Sequence, residues 1–250
     1  MRTLEVLNPY LKSLRLSGIL DTLDVRTRQA VEQQLSYEEF LALVLQDEFE
    51  RRDNKKLKLR LHKANFKGDR TLENFKFDAP NLKLNKAQLF DLSTCKFVAE
   101  RVNVLVVGPT GVGKSHIGQA MGVKACLKGH DVLFYPFQKA MAQLRAGRAD
   151  GTYEKRLNAL LRPDLLILDD FGLKPLLPPA DEDFHELVSE RYERGSILLT
   201  SNLDFTEWGA VFPNVIIGVA TIDRLRDQAH RVTIEGDSYR RPREMPDRKR

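Results

Sequence analysis

One octapeptide constrains this chain more than any bulk property. Gly108-Pro-Thr-Gly-Val-Gly-Lys-Ser115 has the spacing G-x-x-x-x-G-K-[ST], with an apolar strand-length run (102–107) before it and a helical pattern after it. A strand that turns through glycines into a helix N-terminus aims successive backbone amides inward and forms an anion-binding nest. On this reading Gly108, Pro109, Thr110, Gly111, Val112, Gly113, Lys114, Ser115 and His116 surround the phosphates of a nucleotide. The Lys114 ammonium bridges β- and γ-phosphate oxygens as a mobile point charge. The Ser115 hydroxyl is a hard oxygen ligand for Mg²⁺.

A second motif fits the first. Leu165-Leu-Ile-Leu-Asp169-Asp170 sets two carboxylates at the carboxyl end of a buried strand, where α/β sheets present their ligands. Asp169 is expected to hold Mg²⁺, directly or through water, and Asp170 to polarise the attacking water as general base. Asn202 follows the next strand (LLTSN), where a polar side chain touches the γ-phosphate and the water. A strand lies between the two motifs in the chain. That order points to the ATPase branch with an extra strand beside the phosphate loop, against the simple kinase arrangement. ATP and Mg²⁺ are therefore the expected cofactors, and Lys114, Asp170 and Asn202 the expected catalytic side chains.

The surrounding pattern suits this assignment. With 250 residues, 42% of them hydrophobic, the chain has room for one domain plus an appendage, or for two small domains. From Leu82 onward helices are expected over 84–101, 116–128, 138–145, 152–161, 181–194 and 222–230. Strands are expected over 102–107, 132–135, 165–168, 197–200 and 231–234. Such alternation means a parallel sheet covered on both faces, with Gly129 as a helix C-cap. Upstream, Ser36-Tyr-Glu-Glu39 reads as a capping box. Behind it Phe40, Leu41, Val44, Leu45 and Phe49 form one apolar helix face that must bury. That helix can run to about Lys63, since no Gly or Pro intervenes. An earlier helical stretch (9–20) breaks at Gly18. The expected organisation is a small all-helical domain (1–65) that meets DNA or a partner, then an α/β ATPase domain (66–250) entered through a polar connection.

Charge is uneven. Lys and Arg number 40 against 35 Asp and Glu, a net of +5. An acidic stretch over 32–50 gives way to a basic one over 51–67 that includes Arg51, Arg52, Lys55 and Lys56. Basic clusters of this kind supply the counterion-release term of nucleic-acid binding. A second basic segment, with Lys139, Arg145, Arg148, Lys155, Arg156 and Arg162, is either the lid of a small-molecule kinase or the lining of a groove for a nucleic-acid backbone. A third closes the chain.

Other classes fall away. No apolar run reaches the ~18 residues that cross a bilayer, and the N-terminus lacks a secretory pattern, so a cytoplasmic chain with no membrane partner is expected. Two cysteines, Cys95 and Cys126, are too few for a disulfide framework or a zinc site. The five histidines show no ligand spacing. Trp208 reads as packing, and Phe75 and Phe77 either flank a nucleobase or pack a linker.

Taken together, GPTGVGKSHIGQA, LLILDDFG, LLTSN, DRL…GDSYR and the N-terminal LSYEEFLALVLQDEFERR resemble the IstB-like helpers of insertion-sequence transposition and, beside them, the DnaC helicase loaders of the AAA+ superfamily. The resemblance implies an AAA+ ATPase that self-assembles on duplex DNA with Mg-ATP, hydrolyses ATP and recruits or stimulates a transposase. Helicase loading and small-molecule phosphotransfer are the alternatives. It also implies that Arg224 of Asp223-Arg224-Leu225 completes a neighbouring subunit's site as an arginine finger, with Arg226 in reserve. Two departures stand out. Asp170 replaces the usual glutamate and is a methylene shorter, which implies slower hydrolysis. The segment after Ile234 is too short for the usual helical lid, leaving its sensor arginine absent or supplied from elsewhere, Arg240 being one choice.

Overall fold

The computed structural model describes residues 2–79 and 81–239, and the chain divides into two compact units, Met1–Leu59 and Arg60–Arg250. The expected sensor candidate Arg240 and the basic tail lie outside the described residues.

The first unit is helical: α1 (Arg2–Ser13), α2 (Ser17–Glu32) and the long α3 (Tyr37–Lys63), which continues into the second unit. The capping box forms as expected. Glu39 N donates to Ser36 Oγ at 3.2 Å, and Ser36 N donates to Glu39 Oε2 at 2.7 Å. The break after α1 falls before Ser17, and Gly18 lies inside α2 instead of ending a helix. The reason is close approach: a Cβ at residue 18 would stand 2.6 Å from Glu48 Cα. The Glu48 carboxylate takes the place of a cap, accepting from Gly18 N at 2.6 Å and Ile19 N at 3.4 Å. Burial of the α3 face is narrower than its sequence suggests. Val44 packs with Ile19 and Leu23 and the flanking Leu11, Leu16 and Phe40. Leu41, Leu45 and Phe49 stay 51–71% exposed. They occupy the row beside 40, 44 and 48, and two short helices cover only one row.

The second unit is a three-layer α/β fold. Short helices α4 (Lys86–Leu92) and α5 (Lys96–Ala99) replace the single expected helix over 84–101. They are separated by Cys95, whose left-handed backbone (φ 59°) ends the run. There follow β1 (Val104–Val107), α6 (Lys114–Leu127), β2 (Val132–Pro136), α7 (Phe137–Asp150), α8 (Tyr153–Leu161), β3 (Leu165–Phe171), α9 (Ala180–Arg191) and β4 (Ser196–Ser201). A 3₁₀ turn (Trp208–Val211), α10 (Val215–Arg226) and β5 (His230–Thr233) complete it. Helix α10 starts well before the expected 222, because the Asn214 side chain caps it by accepting from Ile216 N and Ile217 N at 3.0 and 3.3 Å.

All pairings in the 5-stranded sheet are parallel, in the order β2-β3-β4-β1-β5. Leu105, Val107, Leu166, Leu168, Ile197 and Leu199 face a core built with Phe137, Phe184, Trp208 and Phe212 from α7, α9 and the segment around the 3₁₀ turn. On the other face α6 lies close, its Gly118 opposite Leu198, Thr200 and Ile167. Trp208 is fully buried, with its indole N–H donating to Leu203 O at 3.3 Å, so it packs as the sequence suggests.

The segment after α3 is fastened to β2 and to α6. Phe134 N donates to Ala64 O at 2.8 Å, Lys67 N to Gln119 Oε1 at 2.6 Å, and Lys124 pairs with Glu73 at 2.5 Å. That ion pair, then a backbone hydrogen bond, hold the Glu73 carboxyl down at about 2.

Candidate nucleotide site

The loop between β1 and α6 has the shape its sequence demands. Gly108 leaves β1 with φ 154°, and a Cβ there would lie 2.2 Å from Ile234 O on the neighbouring chain segment. Gly113 enters α6 with φ 99°, and a Cβ there would meet the Phe75 ring at 2.7 Å. Val112 is fully buried and pegs the loop into the core, so its side chain is structural. Lys114 is nearly buried, and its Nζ donates to Gly108 O at 2.8 Å and Pro109 O at 2.7 Å. The loop's own carbonyls thus hold the ammonium at the mouth of the nest. His116 Nε2 lies 2.7 Å from Thr71 O, so that nitrogen carries a proton and ties α6 to the segment before it.

The acid pair depends on a bulge. Simple alternation would put Asp169 and Asp170 on opposite faces of β3. The β3–β4 register instead shifts between Leu168 and Phe171, and Asp170 takes a left-handed φ of 63°. Leu168 and Phe171 then both face the α9 side of the core, and both carboxylates reach the cavity beside the loop. Bulges re-aim side chains in this way next to functional sites, and an aspartate tolerates the left-handed conformation better than most residues. Thr200 of β4 holds the arrangement. Its buried Oγ1 donates to Asp169 Oδ1 at 2.6 Å and accepts from Asp170 N at 3.0 Å. Sequence reasoning missed Thr200. Its only signal was a polar residue directly after the apolar run Ile197–Leu199.

Loop and acids line one cavity of about 480 Å³. Thr110, Gly111, Gly113, Lys114, Ser115, His116, Asp169, Asp170 and Asn202 all contribute. Because β4 lies between β1 and β3, the end of β4 delivers Asn202 between the loop and the acids. The Ser115 hydroxyl and the Asp169 carboxylate are hard oxygen donors facing the same space, which suits Mg²⁺. Lys67, Arg70 and Leu173 also line it, and none was anticipated from sequence. A second cavity, about 680 Å³, opens on the other side of the loop between Phe75, Tyr239, Gly111 and Gly113. There Tyr239 N donates to Gly111 O at 3.1 Å, and Phe75 stacks edge-on against Phe77 and His116.

The remaining candidates lie elsewhere. Arg224 lines a cavity with Asn103, Tyr192 and Asp227 at the end of the sheet where β1 begins, and its Nη1 donates to Ala220 O at 3.2 Å. Helix α10 runs back from the loop end of the sheet to reach that position, so Arg224 is a strand's length from its own phosphate loop. Burial, then the Arg224 cation, hold the nearby His185 imidazole below its ordinary range. Among the basic candidates, Arg51 is paired with Asp21, and Arg52 with Glu48 at 2.6 Å. Arg148 grips Asp183 at 2.5 Å and lies over the Tyr153 ring at 4.4 Å, while Arg156 pairs with Asp150 at 2.6 Å. Lys55, Lys56, Lys139, Arg145 and Lys155 are exposed, with no ion pair among the described residues. Both cysteines are buried and free, and burial pushes their thiols up to about 11. No group of His, Cys, Asp and Glu among the described residues forms a metal cluster, and no helix there is long and apolar enough to cross a membrane.

Comparison with known proteins agrees with this geometry. Residues 9–245 match the family model described as IstB-like ATP binding protein. A Mycobacterium tuberculosis protein described as an ATP-binding protein in an insertion sequence is 37% identical over 95% of this chain and 94% of its own length. A Pseudomonas aeruginosa ATP-binding protein of insertion sequence IS21 is 36% identical over 96% of this chain and 89% of its own. Among solved structures, the DnaC helicase loader superposes with a TM-score of 0.53 at 21% identity, covering 66% of this chain and 96% of that one. The replication initiator DnaA, bound to AMPPCP and single-stranded DNA, gives 0.56 at 21% identity, over 69% of this chain and 52% of its own. These neighbours share the fold, a parallel α/β sheet covered by helices. By sequence, phosphate loop and sheet order together, the chain belongs to the IstB-like ATP-binding protein family.

Proposed function

We propose that this chain is an Mg-ATP-dependent, DNA-binding transposition helper that self-assembles on duplex DNA, hydrolyses ATP and recruits or stimulates a transposase. The observation that carries the ATPase reading is the single cavity shared by Lys114, Ser115, Asp169, Asp170 and Asn202. Backbone amides of the loop and the Lys114 ammonium bind the phosphates. Ser115 and Asp169 hold Mg²⁺, which neutralises charge on the phosphate oxygens. Asp170 accepts a proton from the attacking water, Asn202 orients that water, and the products are ADP and inorganic phosphate. The cavity between Phe75 and Tyr239 receives the nucleoside. Arg224, a strand's length from its own loop, serves a neighbouring copy, and that trans role supports self-assembly. The insertion-sequence context of the relatives supports a transposase as partner. DNA contact falls to the exposed Lys55, Lys56, Lys139, Arg145 and Lys155 before the arginines already engaged within the protein. The helical N-terminal region, residues 1–65, is the natural carrier of DNA and partner contacts, with the ATPase over 66–250.

ATPase rate and particle size, measured with and without duplex DNA, test the whole reading. Mg-ATP should produce larger assemblies and salt-sensitive duplex binding. A chain that neither assembles nor binds duplex DNA with Mg-ATP or a non-hydrolysable analogue is something else. A stable complex with a replicative helicase and preference for single strands would make it a loader. Phosphate transfer to a metabolite without DNA would make it a kinase.

A further inference from the structure

Several arginines of this chain have carboxylate partners, and one at the nucleotide cavity has none among the described residues. Arg148, Arg156, Arg51 and Arg52 each pair with a carboxylate. Arg70 is half-buried, lines the same cavity as Lys114, Asp169, Asp170 and Asn202, and its guanidinium makes no hydrogen bond or ion pair among the described residues. Desolvating part of a guanidinium without an acceptor costs free energy unless an anion completes it. The backbone that carries Arg70 is held on both sides. Before it, Lys67 N is bonded to Gln119 Oε1 at 2.6 Å, and after it Thr71 O takes the His116 ring N–H at 2.7 Å. The side chain therefore projects from a strap anchored to α6, the helix whose N-terminus is the phosphate nest.

Its position along the cavity says which anion. The loop separates two spaces, an aromatic one with Phe75 and Tyr239 and a polar one with the acid pair. A nucleotide laid across the loop has its base on the aromatic side and its terminal phosphoryl group on the acid side. Arg70 stands on the acid side.

We propose that Arg70 binds the terminal phosphoryl group of the nucleotide held by its own subunit, so that the segment connecting α3 to the ATPase core distinguishes ATP from ADP. Lys67, which lines the same cavity with its ammonium 6.0 Å from the centre of the buried Phe134 ring, adds a second positive charge. The inference rests on the ATP-binding reading and adds to it a phosphate-binding residue outside the loop and the strand ends. A planar fork that grips two phosphate oxygens discriminates a triphosphate from a diphosphate better than a flexible ammonium does.

The test is a calorimetric titration of the full chain with Mg²⁺ and either a non-hydrolysable ATP analogue or ADP. Wild type, Arg70→Ala, Arg70→Lys and Lys114→Ala are compared. Removing a charge-assisted hydrogen bond should weaken the analogue by about 10–100-fold in Arg70→Ala, with ADP affinity changed by less than about twofold. Arg70→Lys should fall between. Thermal unfolding without nucleotide should be unchanged in Arg70→Ala, since the guanidinium has no intramolecular partner among the described residues. Equal analogue affinity in wild type and Arg70→Ala overturns the inference, as does an equal loss for analogue and ADP. If wild type binds neither nucleotide, or Lys114→Ala binds both normally, the ATP-binding reading itself has failed.

Discussion

Single side chains here carry effects out of proportion to their number. Thr200 bonds to both members of the acid pair through one hydroxyl. Thr200→Val keeps the shape and removes both bonds, leaving a buried carboxylate oxygen and a backbone N–H short of partners. A stability loss of about 1–3 kcal/mol is expected, with hydrolysis falling further than ATP affinity. Denaturant melts and steady-state kinetics would check this. If turnover is unchanged, Thr200 does not position the acids. Asp170→Asn should retain nucleotide binding and lose about 10²–10⁴-fold in turnover. Undiminished turnover would remove it from the base role. Arg191 is structural by contrast. Almost fully buried, it donates to the carbonyls of Leu160, Leu161, Asp164 and Ser196 at 2.8–3.2 Å, closing the end of α8 against β3 and β4. Burial drives its guanidinium down to about 10, and the Asp164 charge offsets this only in part. Arg191→Met should cost on the order of 3 kcal/mol by stranding those carbonyls, and Arg191→Lys should not restore it, because one ammonium cannot reach both sides.

Elements show where local pattern suffices and where it does not. The capping box and the unbroken run after it were enough to place α3, since cap chemistry and helix continuation are local properties. Gly18 misled because a glycine reads as a breaker unless the partner helix is known; here it admits the Glu48 backbone. Gly18→Ala should destabilise the helical unit by about 1–3 kcal/mol through that clash, despite alanine's better helix propensity. The same unit carries a pH dependence. Arg26 bonds bidentately to Asp47 at 2.6 and 2.8 Å and holds its carboxyl below the ordinary value of 3.8. A depressed folded-state value means the stabilisation is complete above the unfolded value and is lost as pH falls through the folded one. Helicity of the chain should therefore drop on acidification below about pH 4, and Arg26→Ala should remove that part of the drop. Far-UV circular dichroism of both proteins from pH 7 to 2 would show it.

At the scale of the molecule, nucleotide binding and unfolding are linked. A hundredfold excess of Mg-ATP over its dissociation constant should add about 2.7 kcal/mol to the α/β unit, a rise of roughly 5–10 °C in its melting temperature. The single tryptophan, Trp208, is buried in that unit, so its fluorescence follows the core alone. Lys114→Ala should abolish the rise. Assembly should show as complementation: Arg224→Ala and Asp170→Asn, each inactive, should regain activity when mixed, because one supplies the acid and the other the finger. Inactive mixtures that still assemble would remove Arg224 from the trans role. Reversing charge at Lys55 and Lys56 should weaken duplex binding. The slope of log affinity against log salt should flatten by about 0.9 for each phosphate no longer neutralised.

The phosphate loop, the acidic strand end and the βα alternation were legible directly, because glycine turns, helix starts and apolar runs are written in neighbouring residues. Three things were decided only in the folded chain. The Thr200 hydroxyl on β4 bonds to both acids; motif order in the chain already pointed to the extra strand and to Asn202, whereas which buried side chain meets the acids depends on long-range register. The bulge at Asp170 turns two consecutive carboxylates toward one side, against the alternation their sequence implies. The strap carrying Arg70 reaches the cavity only because Gln119, His116 and Lys124 of α6 fasten it there. Chemistry of the separate parts is local and readable, whereas their convergence depends on packing between segments far apart in the chain.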